Sequence, residues 1–311
     1  MGEAIPGRER SPKSLDLRSG RGFFTFSLAA AVFLLGGNTI HGFVHEVLGH
    51  GLSALGFGMQ FDGFYIGAFG INLSYFSYPS LNISLYAIQD AAGSLVSAVA
   101  GFALFFLVYP WAARKSFGAR LFVLLLCVNL ETDLLYPFLS PILSYGDAYS
   151  ITQLLGVSPP WVFSLVMAPV AIVGYYPLLK EYFGFLLPYL SPVAGFPRRA
   201  LALIELVFAP TLLYWAITLA VLFPLSGVSA GVSWGEGVAL GAVLLVPTGL
   251  AVAGRTLGVA SDEGDSNADY LSMRRYLLVS LALVLVVTAV FGPTANRSWG
   301  VSWGPVGGST S

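Results

Sequence analysis

Seven apolar runs approach or exceed the roughly 18 to 20 residues that cross the hydrocarbon core of a bilayer, and they leave this chain few folds to choose from. They cover residues 23 to 56, 83 to 109, 121 to 139, 161 to 179, 200 to 223, 237 to 253 and 276 to 291. Lipid offers backbone N–H and C=O groups no water, so such runs satisfy themselves internally as helices. Only 10% of the residues are charged, against about a quarter in a soluble domain. The expected fold is an all-α polytopic membrane protein of about seven transmembrane helices. A net charge of -1 gives no footing for nucleic acid. The single cysteine, Cys127, has no partner for an internal disulfide.

The first run is too long for one straight crossing at about 1.5 Å per residue, and Gly36, Gly37 and Asn38 are candidate kink positions. The piece from 181 to 196, aromatic and interrupted by Pro and Gly, is expected on the surface or as a re-entrant segment.

The basic residues orient the spans. Arg8, Arg10, Lys13, Arg18 and Arg21 precede the first. Arg114, Lys115 and Arg120 join the second and third; Lys180, Arg198 and Arg199 join the fourth and fifth; Arg255, Arg274 and Arg275 flank the last inner loop. With the N-terminus cytoplasmic, fourteen of the fifteen basic residues fall inside, with only Arg297 outside. Residues 1–22 then form a cytoplasmic tail, and the C-terminal tail, 293–311, lies outside. The acidic set Asp262, Glu263, Asp265 and Asp269 reads as a solvated linker. Asn72, Asn82 and Asn296 sit in Asn-x-Ser sequons on the outer side, a short pattern that arises by chance.

All three histidines, His41, His45 and His50, fall within ten residues of the outer half of the first run, and Glu46 follows His45. Ionisable groups in the bilayer are costly and usually mark a working site. A His-Glu pair with a second His one turn away is how a helix holds zinc beside a general base. His41 and His45, four apart, share a face. His45 and His50, five apart, diverge by about 140° on a regular α-helix. A π-bulge restores their alignment, or the helix ends at Gly49-His50-Gly51 and frees His50 to turn inward. Glu46 projects beside the metal, as suits a base acting on metal-bound water. Among the downstream acids, Asp147 lies on the same expected side and is the favoured third ligand; Asp133 is its rival. Asp90 and Glu205 are read as hydrogen-bonded within the bundle.

These residues resemble, in order, the elements of the site-2 protease family of intramembrane zinc metalloproteases. His45-Glu46-Val-Leu-Gly-His50 looks like the family's His-Glu-x-x-His helix with one residue inserted. Residues 56 to 70, rich in Gly and aromatics, are similar to the short β segment that follows it. Asp90-Ala-Ala-Gly93-Ser94-Leu-Val-Ser97 resembles the Ala-Gly-Pro-x-x-Asn stretch of the second core helix. Asn129, Pro137 and Gly146-Asp147 resemble elements of the third. The resemblance covers residues 23–160 as a three-helix core and leaves 161–292 as additional transmembrane helices. It implies a zinc metalloendopeptidase with one zinc ion, cutting peptide bonds in or near transmembrane segments of membrane-protein substrates. His45, His50 and Asp147 would hold the metal, with His41 the alternative to His50. Glu46 would be the base, and Asn129 would hold substrate or stabilise the oxyanion. Residues 61 to 75 would pair with an extended substrate as a β-strand. The competing expectation is a metal-binding membrane protein without peptidase activity, a transporter or a scaffold for transmembrane segments. A bundle whose histidines only pack is the plainest alternative.

Overall fold

A computed structural model describes residues 17, 19–67, 72–77, 82–144, 146–186, 205–206, 208–218, 270–291 and 300–303. Helix α1, Gly20–Gly42, starts where the Ser19 side chain accepts a hydrogen bond from Gly22 N at 3.0 Å. It runs without interruption into a π-helical stretch, Phe43–Gly51, and closes in a short α-helical turn, Leu52–Gly56. Gly36 and Gly37 do not break it. They are contact points, since a Cβ on Gly36 would meet Ser280 and one on Gly37 would meet the Asn129 amide. Small residues let helix backbones approach closely. The change of helical geometry instead begins at Phe43, under the histidines.

Strands β1, Gln60–Gly67, and β2, Asn72–Ser77, form an antiparallel hairpin from Gln60↔Ser77 to Ile66↔Asn72, with a bulge between Phe61 and Gly63. Helix α2, Ile83–Ala103, is capped by Asn82 and continues through a second π-helical stretch to Ala112. Helix α3, Phe117–Leu143, begins at a Ser116 cap and ends at Ser144 in the left-handed conformation. Helix α4, Asp147–Leu154, is short. Helix α5, Trp161–Leu186, absorbs the start of the segment expected to re-enter, because 181–186 continues the helix. Helix α6, Phe208–Thr218, lies within the fifth expected span. Helix α7, Tyr270–Phe291, contains the seventh, and β3, Gly300–Trp303, pairs with β1 to give the order β2-β1-β3. The sixth expected span lies outside the described residues.

Four continuous helices among the described residues are long and apolar enough to cross a membrane: Gly20–Gly56, Ile83–Ala112, Phe117–Leu143 and Trp161–Leu186. The first is the most enclosed. The core joins Phe26 and Phe33 of α1 to Leu121 and Leu124 of α3 and to Tyr175, Leu178 and Phe183 of α5. Helix α2 keeps a broad apolar face uncovered, with Leu95, Val99, Phe106 and Leu107 each exposed. At the far end from the histidines, Arg120 donates to Glu181 at 2.7 Å and to the Tyr109 hydroxyl at 2.8 Å, tying α2, α3 and α5 together.

Candidate metal centre

The five-residue spacing of His45 and His50 is reconciled by the π-helical stretch, whose i→i+5 pairing returns residues five apart to one side of the helix. The ring centroids are 4.8 Å apart and the two Nε2 atoms 3.1 Å apart. The helix does not end at Gly49–Gly51; it passes through them. Gly49 permits this packing, because a Cβ there would run into the backbone of Ala92 and Gly93 on α2.

The third corner is Asp147. Its Oδ2 lies 3.2 Å from His45 Nε2 and 3.2 Å from His50 Nε2. The residue opens α4 directly after Gly146, whose φ of 80° suits glycine, and a Cβ on Gly146 would strike the Tyr136 hydroxyl. Two hydrogen bonds moor α4: Ser150 Oγ donates to Asp90 Oδ2 at 2.6 Å, and Tyr149 N donates to Ser140 Oγ at 3.0 Å. Burial pushes the Asp147 carboxyl up, but the His45 and His50 rings outweigh this and hold it below the usual carboxylate range.

The remaining ring nitrogens decide what the triangle can hold. His50 Nδ1 is 2.9 Å from the Gln89 carbonyl, which only accepts, so this nitrogen carries a proton. Rotating the Gln89 amide by half a turn offers Oε1, buried without a partner, to the same N–H. His45 Nδ1 is 2.7 Å from Asp133 Oδ2 and carries a proton for the same reason. In the neutral rings both Nε2 atoms therefore present lone pairs, and Asp147 adds a carboxylate oxygen. Three acceptors at 3.1 to 3.2 Å need a positive charge between them. A proton on one ring satisfies only part of the triangle, whereas a metal ion satisfies all of it.

The donor set fits a metal. Ligands about 2.0–2.1 Å from a tetrahedral ion are about 3.3–3.4 Å from each other, close to the edges seen here. Space is kept for it, since a Cβ on Gly93 would fall 2.6 Å from His45 Nε2 and closer still to His50 Nε2. Glu46, next to His45 in the chain, is buried, with His45, His50 and Asp147 as its ionisable neighbours. The Ser74 hydroxyl of β2 donates to it. Burial, and then the Glu46 charge, push the phenol of neighbouring Tyr75 above its ordinary value.

Three expected site residues, Asp133, His41 and Asn129, have other positions. Asp133 stands at a different place from Asp147, in a second group with His41 and His45. Its Oδ2 accepts from His41 Nε2 at 2.9 Å and from His45 Nδ1 at 2.7 Å, on the side of His45 away from His50. These separations are those of charge-assisted hydrogen bonds. His41 accordingly meets Asp133, and the triangle is closed by His50. Asn129 is not brought to the cluster. Its amide donates to the Leu125 carbonyl at 3.0 Å and lies against Gly37, about one turn inward of His41. Gln89, Ser150 and the gap at Gly93 carry site roles that the sequence did not announce. Gln89 acts mainly through its backbone, and Ser150 through Asp90, so neither has a side-chain signal of its own. No family model, curated protein or solved structure matches the chain.

Proposed function

We propose that this chain is a multi-pass membrane zinc metallopeptidase that hydrolyses peptide bonds in or near transmembrane segments. The observation that carries the reading is the triangle of His45 Nε2, His50 Nε2 and Asp147 Oδ2 with the Glu46 carboxylate beside it. Four helices of bilayer-crossing length and the uncovered apolar face of α2 support membrane embedding. The distribution of basic loops supports seven spans with a cytoplasmic N-terminus.

In this reading His45, His50 and Asp147 hold zinc, leaving a fourth position open. Zinc, when bound, polarises the scissile carbonyl and lowers the pKa of water. Glu46 accepts a proton from water and returns it to the leaving amine. Strand β2, which carries Ser74 and Tyr75 beside Glu46, is an edge of the hairpin sheet and offers backbone groups to an extended substrate.

A second reading has a specific observation in its favour. Asn129 is engaged with its own helix, so the expected oxyanion donor is missing from the cluster. That suits a metal-binding membrane protein without peptidase activity. The deciding experiment pairs elemental analysis of the detergent-purified protein with cleavage of transmembrane substrates. One zinc per chain, lost in separate His45, His50 and Asp147 alanine variants, is expected. Glu46→Gln should keep zinc and abolish cleavage. Zinc without any cleavage by the wild type supports the second reading, and cleavage unchanged by Glu46→Gln sinks the first.

A further inference from the structure

We infer that His41 and Asp133 are a positioning pair that fixes the tautomer and orientation of His45, rather than a second set of metal ligands. The inference rests on His45 being a ligand of the centre proposed above. His41, His45 and Asp133 carry potential ligand atoms within 4.8 Å of one another, so a second ion is the obvious competitor. Distances decide against it. One oxygen, Asp133 Oδ2, stands 2.7 Å from His45 Nδ1 and 2.9 Å from His41 Nε2. Tetrahedral ligand edges are about 3.3–3.4 Å, and these contacts are shorter, at hydrogen-bond length. Two ions would also require His45 to give up both ring protons, because its Nε2 already faces His50 and Asp147.

The arrangement works as an orienter. Asp133 is buried and accepts the Nδ1–H of His45, which leaves the Nε2 lone pair aimed at the triangle. A metal-ligating histidine whose other N–H is held in this way keeps one tautomer and one ring angle. His41 donates a second N–H to the same oxygen, so it holds the carboxylate in place and helps to offset its charge. The three-histidine sequence then separates into two ligands and one residue acting through Asp133. Gln89 does for His50 what Asp133 does for His45.

The test uses the full chain in detergent with zinc and cobalt(II) as probes. Outer partners of this kind typically contribute about 10- to 100-fold in metal affinity. Asp133→Asn should weaken zinc by that factor in chelator competition. His41→Leu should weaken it by about tenfold or more, while His41→Gln, which can put an amide N–H near the same oxygen, should restore most of it. The cobalt absorption of all three should stay four-coordinate with the wild-type ligand set. A changed cobalt spectrum in His41→Leu that His41→Gln fails to rescue would make His41 a ligand and overturn the proposal. Wild-type affinity in both His41→Leu and Asp133→Asn would overturn it as well. Imidazole 15N spectra of the metal-free protein, taken at alkaline pH where the rings are neutral, give a readout without zinc. His45 should be the Nδ1–H tautomer in the wild type and lose that preference in Asp133→Leu. If the wild type binds no metal, the zinc reading fails and the tautomer comparison alone decides. An unchanged tautomer in Asp133→Leu overturns the pair.

Discussion

Gly93→Ala should separate metal binding from folding, because the space that a methyl would fill lies in front of His45 Nε2 and His50 Nε2, the two proposed ligand nitrogens. An ideal Cβ at residue 93 would stand 2.6 Å from His45 Nε2, 2.8 Å from His50 Cε1 and closer still to His50 Nε2. Ordinary contact needs about 3.5 Å, so α2 or the two rings must give by nearly 1 Å. Metal–ligand distances tolerate only about 0.2 Å, which means that either response spoils the site. The stability balance is nearly neutral by comparison. Alanine in a helix interior is favoured over glycine by about 1 kcal/mol, and a single overpacked methyl costs about 1–3 kcal/mol. The variant should therefore fold, with a thermal midpoint within a few degrees of wild type, and lose at least about 100-fold in zinc affinity, close to 2.7 kcal/mol. Chelator competition and thermal unfolding on the same detergent preparation provide both numbers. Wild-type zinc affinity with an unchanged midpoint would refute the placement of Gly93 over the ligand atoms.

Ser150→Ala removes the 2.6 Å hydrogen bond to Asp90 that moors α4, and it should cost about 1 kcal/mol in thermal unfolding and several-fold in zinc affinity. Full zinc affinity in this variant would mean that Asp147 is held by other contacts. Gly146→Ala forces a side chain into a left-handed backbone and against Tyr136; it should lower zinc affinity more than Ser150→Ala, because Asp147 is the next residue. Asn129→Ala should leave zinc affinity unchanged and, for a wild type that cleaves, lower turnover by less than about tenfold, since its amide is engaged with Leu125. A loss of turnover of about 100-fold or more would restore Asn129 as an oxyanion donor.

The bilayer-length helices were legible because length and apolarity are sequence properties. Residues 23 to 56 and 83 to 109 anticipate Gly20–Gly56 and Ile83–Ala112 closely. The ends were less so. Helix α3 begins at Phe117 rather than near Leu121 because Ser116 caps it, and because Arg120 finds Glu181 and Tyr109 as partners. The His45–His50 spacing was legible as a conflict with α-helical geometry, and a local π-bulge was one of two solutions open to it; the structure spreads it over nine residues, Phe43–Gly51. What decided it is tertiary: Gly49 against Gly93, and the Gln89 carbonyl waiting for His50. Asp133 and Asp147 could not be ranked by residue type; only the expected side of the membrane favoured Asp147. Their roles depend on which nitrogen of His45 each one meets.

Charge explains why the two aspartates are not interchangeable. In their ordinary ionised forms the buried Glu46 and Asp133 and the partly exposed Asp147 bring three negative charges to one cluster, a costly arrangement unless each is compensated. A divalent ion in the triangle would cancel Asp147 and the adjacent Glu46. That leaves Asp133, the most enclosed from the ion because the His45 ring stands between them. Two ring N–H groups converge on it, and hydrogen bonds to a charged group contribute about 1.5–3 kcal/mol each. If His41 were recruited to the metal instead, Asp133 would keep one donor and the cluster one poorly compensated charge. The third histidine is therefore best accounted for by the charge of Asp133, and a His41→Leu/Asp133→Leu double variant should recover part of the stability lost by His41→Leu alone. A double variant no more stable than His41→Leu in thermal unfolding would sever that link.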